Sequence, residues 1–161
     1  MSLDIKGGKW ESQLFLINDI RHPNNLYYGS QMKQMGNLSE RIQQVWRYKE
    51  PLKSWQLTSV IFYHIFLVLQ TDKWNWSIEK NGTGIWVQKS ENHNELLKKK
   101  GGVERKSVSL LGHRIGNFVR IKSLFDWTIK NELKIKYYWL DSYYNCKGFV
   151  ERAFKFITNT F

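Results

Sequence analysis

The sequence predicts an α+β fold, a small antiparallel sheet packed with helices. Three observations predict it. Helical periodicity occurs near residue 40 and again after residue 122. Between them, the apolar pattern alternates as strands do, with a strong hairpin signal. The chain has 161 residues, 42% apolar and 16% aromatic, enough for one domain with its own core. Only two prolines occur, and no repeat or low-complexity linker divides the chain, so 1–161 reads as a single domain.

The elements follow in order. The first thirty residues read as irregular, with a turn at His22-Pro23-Asn24-Asn25. Leu38, Ile42, Val45 and Trp46 then fall on one face at helical spacing. Asn37 or Ser39 serves as a cap and Pro51 ends the helix. This makes residues 1–52 a helical N-terminal extension to a core over 53–161. Ser59 to Gln70, rich in β-branched and aromatic residues, reads as a buried strand. Trp74 to Glu79 alternates, with Trp74, Trp76 and Ile78 on one side and Asn75, Ser77 and Glu79 on the other. Asn81-Gly82 signals a hairpin, Ile85 to Gln88 the returning strand, and Ser107 to Leu111 a further strand. Ser123, three residues before Asp126, marks a helix start, with the helix running to about Lys136. After a Tyr-rich connector, Tyr137 to Tyr144, Asn145 caps the last helix. Its stripe is Phe149, Val150, Ala153, Phe154 and Ile157.

Net charge is +11. Between Lys89 and Lys122 nine Lys/Arg face three Glu, and Lys98, Lys99, Lys100, Arg105 and Lys106 cluster around Gly101-Gly102. This reads as a mobile basic loop. It suits an anionic membrane surface, an acidic partner or, on composition alone, nucleic acid. The plainer alternative is a solvated loop that aids solubility. The one cysteine cannot form an internal disulfide, Met1 to Trp10 lacks an apolar signal core, and Val60 to Leu69 is too short to span a bilayer. A reduced, cytoplasmic, soluble protein is expected.

Two residues carry candidate chemistry. Cys146 would be the first residue of the last helix, where unpaired amide groups and the helix dipole favour a thiolate. Lys147 and Arg152 add positive charge nearby. The alternative is a small buried thiol. Of the four histidines only His64 lies on a buried strand, where an imidazole must find a partner; it is either a base or a structural histidine bonded to backbone. One cysteine and four scattered histidines fit no zinc spacing, so neither a metal nor another cofactor is expected.

The tail Ser123-Leu124-Phe125-Asp126-Trp127 and Tyr143-Tyr144-Asn145-Cys146-Lys147-Gly148-Phe149-Val150 resembles the Asn-Cys-x-x-Phe nucleophile helix of lecithin:retinol acyltransferase-like proteins. These are circularly permuted relatives of NlpC-type, papain-like cysteine hydrolases, with the histidine strand first and the cysteine helix last. His64 on a hydrophobic strand followed by a hairpin matches that order, and the resemblance spans about Phe62 to Phe156. It implies a permuted papain-like core over 53–161. It also implies Cys146 attacking an ester, amide or peptide carbonyl of a lipid or peptide substrate through a thioester, with His64 as base. The family usually sets a second polar residue, often His, on the next strand to orient the first. Here Ser77 or Asn75 takes that place, or Glu79 if the strand reaches it. The reading from another class is a catalytically silent member of the same fold, acting as a basic module that binds nucleic acid or anionic lipid.

Overall fold

The computed structural model describes residues 10–16, 38–51, 63–81, 84–100, 103–132 and 145–159. Strand β1 is Trp10–Leu16, β2 Ile42–Pro51, β3 Tyr63–Thr71, β4 Asn75–Asn81 and β5 Gly84–Ser90. A short helix, α1 (His93–Lys98), leads into a hairpin of two-residue strands, β6 (Lys99–Lys100) and β7 (Val103–Glu104). Strand β8 (Ser109–Ile115) and helices α2 (Ile121–Glu132) and α3 (Cys146–Thr158) follow. Six strands form one antiparallel sheet in the order β1-β5-β4-β3-β2-β8. The α+β class with an antiparallel sheet is therefore as expected. No helix among the described residues is long and apolar enough to cross a membrane.

Helix α3 lies across β3, β4 and β2 and packs on α2. The main core fills this layer: Val45, Ile65, Leu67, Trp76 and Ile78 from the sheet meet Leu124, Phe125, Phe149, Val150, Ala153 and Ile157 from the helices. The predicted α3 stripe is buried throughout. Each such large side chain contributes about 1.5–3 kcal/mol. Truncating Phe149 to Ala would cost about 3–5 kcal/mol. The opposite face carries a smaller cluster of Tyr48, Phe66, Val68 and Leu96, covered by α1.

Residues 42–51 are not a helix. They form β2, an inner strand between β3 and β8, so the expected helical extension over 1–52 instead supplies two strands, β1 and β2. The reason lies in one residue. Against β3, Ile42 pairs with Thr71 and Gln44 with Gln70, which leaves Gln43 as an unpaired bulge. The extra residue flips side-chain parity, so Ile42 and Val45 both enter the helix-side core while Tyr48 is buried on the other face. Burial at 42, 45 and 48 thus imitates helical spacing in a strand.

Other expectations shift less. β1 occupies part of the segment read as irregular, while the turn at His22 and the connector 137–144 lie outside the described residues. β4 and β5 pair up to Asn81↔Gly84, in keeping with the Asn81-Gly82 signal. Helix α2 starts at Ile121, so Ser123 sits inside it and does not cap it; Lys122 instead pairs with Asp126 one turn on, at 2.6 Å. The segment expected as a mobile basic loop is the short helix α1 and the β6–β7 hairpin.

Candidate active site

Asn145 caps α3 in an extended conformation. Its side-chain oxygen accepts from the Lys147 and Gly148 amides at 2.9 and 3.3 Å. This places Cys146 as the first helical residue, 4% exposed, at the positive end of the dipole. The β3–β4 ladder brings the sheet to that end. Its pairing runs from Gln70↔Asn75 to Leu67↔Ile78 and stops there, although β3 begins at Tyr63 and β4 continues to Asn81. Beyond Ile78, β4 pairs only with β5, and before Leu67, β3 pairs only with β2. The two strands part, and His64 and Glu79 lie on their parted ends.

His64 Nε2 stands 2.5 Å from Glu79 Oε2, both side chains buried. The imidazole is also hydrogen-bonded to Cys146. With Nε2 on the carboxylate, Nδ1 is the nitrogen left for sulfur. Burial by itself pushes the imidazole toward neutrality. The hydrogen bonds to Cys146 and Glu79, and the negative charge of both, outweigh it and raise the His64 pKa to about 9. At neutral pH the ring is therefore an imidazolium. Burial works against the Glu79 carboxylate too, but Arg105, His64 and Lys100 hold it well below the usual carboxylate range.

The structure brings Cys146 and His64 together, and on β4 it joins to them Glu79 rather than Ser77 or Asn75. Ser77 accepts from Gln88 Nε2 at 3.0 Å, and Asn75 donates to the Glu91 carbonyl at 3.2 Å. Strand parity already grouped Asn75, Ser77 and Glu79 on one face; what the sequence left open was that β4 runs on to Asn81.

The five basic residues separate. Lys98 and Lys106 are exposed and Lys99 is half-buried. Lys100 Nζ turns to Glu79 Oε2 at 3.4 Å. Arg105 is buried, and its guanidinium reaches Glu79 Oε1 at 2.5 Å and Glu50 Oε1 at 2.6 Å. It is thus no part of an exposed basic surface. Glu50, which sequence reading passed over, has only its position before Pro51 to mark it.

Glu50, His64 and Glu79 bring donor atoms within 4.8 Å of one another, the spacing of a metal site. The Arg105 guanidinium already bridges the two carboxylates, and the imidazole carries a proton. A donor set so filled does not fit a cation. Beside the site, Lys49, Glu50, Pro51, Tyr63, Ser107 and Ser109 line an open depression.

Comparison with known proteins gives one result: no family model, curated protein or solved structure matches the chain.

Proposed function

We propose that the chain is a cysteine-dependent hydrolase or acyltransferase acting on an ester, amide or peptide bond. We further propose that its fold is the permuted papain-like arrangement of lecithin:retinol acyltransferase-like proteins. One observation carries the reading: a buried imidazole bonded on one side to Glu79 and on the other to a cysteine at a helix N-terminus. A structural thiol has no use for a charged partner, whereas a nucleophile needs both a base and a group that orients the base. The order of histidine strand, hairpin and cysteine helix is in keeping with the permutation.

In this reading the Cys146 thiolate attacks the substrate carbonyl, and the imidazolium of His64 gives its proton to the leaving group. The Cys146 amide is the candidate oxyanion donor, as the first amide of α3 at the positive end of the helix dipole. The thioester has no charge on sulfur. One of the two negative groups that raise His64 is then gone, its proton affinity falls, and the neutral ring becomes the base that activates water or another acceptor. Glu79 keeps the ring oriented through both steps. A lipid ester, a peptide or an isopeptide remains in range as substrate. A basic binding surface has weaker support, because Lys100 and Arg105 face Glu79.

The test is covalent. Incubation with p-nitrophenyl acetate followed by intact-mass analysis is expected to show one acetyl group on Cys146, and iodoacetamide to label the folded protein faster than free cysteine at neutral pH. His64→Ala should slow both by at least tenfold. Labelling no faster than free cysteine and indifferent to His64→Ala would sink the enzyme reading.

A further inference from the structure

The basic cluster and the candidate site meet at one side chain. Arg105 follows the β6–β7 hairpin, is 6% exposed, and has its donors engaged. Nε donates to the Leu96 carbonyl at 3.0 Å, Nη1 to Glu50 at 2.6 Å and Nη2 to Glu79 at 2.5 Å. Its backbone amide donates to the Lys98 carbonyl at 2.6 Å, and the guanidinium stacks 3.8 Å from the Phe66 ring centroid. A fork held at this many points cannot swing out to meet a ligand, and the two acids it holds flank His64.

We propose that Arg105 is a positioning residue of the Cys146–His64–Glu79 site, aiming Glu79 Oε2 at the imidazole and limiting the negative charge that the imidazole faces. The inference rests on the enzyme reading for its purpose but not for its test. Glu79 has two oxygens. Arg105 holds Oε1 through Nη2 at 2.5 Å and reaches Oε2 only through Nη1 at 3.5 Å, beside Lys100 Nζ at 3.4 Å, so the short partner of Oε2 is His64 Nε2. An unbalanced buried carboxylate this close would keep the imidazole's proton for itself, and the ring could neither donate to a leaving group nor serve as a base. Arg105 sets that balance together with the other charges at the site: Glu79 on β4, Lys100 on β6, Glu50 on β2 and Cys146 on α3. Glu50 in turn keeps the guanidinium from pairing with Glu79 alone.

The arrangement makes two predictions of opposite sign. Full-length protein with labelled histidine is titrated by NMR, and the His64 ring is followed. Arg105→Met removes a cation, so the pKa of His64 should rise by about one unit. Glu50→Gln removes an anion and leaves Arg105 to Glu79, so the same titration should fall by a comparable amount. Arg105→Lys, which keeps the charge but loses the fork, should leave the titration near the wild-type position and slow Cys146 acetylation at least threefold. Shifts of opposite sign in the two charge-changing variants support the assignment even if no acyl-enzyme forms, in which case the enzyme reading alone falls. A His64 titration that stays put in a folded Arg105→Met or Glu50→Gln protein overturns the assignment, whether or not Cys146 reacts. Should Arg105→Met not fold, Glu50→Gln and Arg105→Lys decide it.

Discussion

Glu79 and Lys80 are neighbours on β4, both fully buried and both charged, yet they face opposite sides of the sheet and belong to different kinds of cluster. On the helix side, Lys80 Nζ lies 3.4 Å from Glu132 Oε2, and Arg152 grips the same carboxylate through Nε and Nη2 at 2.6 and 3.0 Å. Burial, with the nearby Arg152 charge, holds the Lys80 pKa below its ordinary value, and Glu132 opposes this only in part. This cluster ties the end of α2 to the middle of α3 and to the sheet, and holds no nucleophile. On the other side, Glu79 has a histidine between itself and a cysteine. Burying charge is costly on either face. What separates the two clusters is an imidazole bonded to the buried carboxylate and a sulfur beside that imidazole.

The contrast can be broken at either end. The largest effect is expected from Glu132→Ala, which strips the carboxylate from Lys80 and Arg152. Denaturant unfolding should show a loss of about 3–5 kcal/mol. The iodoacetamide rate of the molecules that stay folded should be almost unchanged. Glu79→Gln should do the reverse to reactivity. The imidazole loses its anionic partner, its pKa drops toward the ordinary 6.5, and labelling at neutral pH slows by about tenfold. Asn145→Ala removes the cap of α3, and urea melts should register about 1 kcal/mol. The smallest effect is expected at Lys122→Ala, where an exposed pair is lost and stability should move by less than about 0.5 kcal/mol.

Acidity sharpens the same comparison. His64 binds its proton more tightly folded than unfolded. Its contribution to stability is therefore fully present below pH 6.5 and is lost as pH rises through about 9. Glu79 has the opposite sign, contributing above its ordinary value of 4.5 and losing that contribution as pH falls well below it. Stability measured from pH 6 to 10 should fall in the wild type and fall less in His64→Ala. An equal slope in both proteins would remove His64 from the account.

The cysteine end of the site was legible because it is local: Asn145, Cys146 and the stripe from Phe149 to Ile157 sit within one helix, where cap and period are written in adjacent residues. His64 was legible for a similar reason, a lone imidazole within an apolar strand. Glu79 was half legible, since parity put it on the right face but not its reach. Arg105 was misread as part of a surface loop, because its partners Glu50 and Glu79 are distant in sequence and nothing local distinguishes a buried arginine from an exposed one. The strand β2 was misread for the opposite reason: a local pattern was present, and a bulge made it deceptive.

That bulge also bears on which length changes the chain tolerates. Gly116 donates its amide to the Gln43 carbonyl at 2.7 Å, and a Cβ on Gly116 would lie 2.6 Å from the Ile42 carbonyl oxygen. The backbone after β8 is thus pressed against the extra residue of β2 and keeps it in place. Deleting Gln43 would not merely shorten a strand. It would remove the carbonyl that Gly116 donates to, while a second residue inserted there would send Ile42 to the face it now avoids. Along β8, whose side chains are mostly exposed, an insertion has far less to displace. Single-residue insertions and deletions should therefore be purged from the start of β2 and accumulate along the sheet's outer edge.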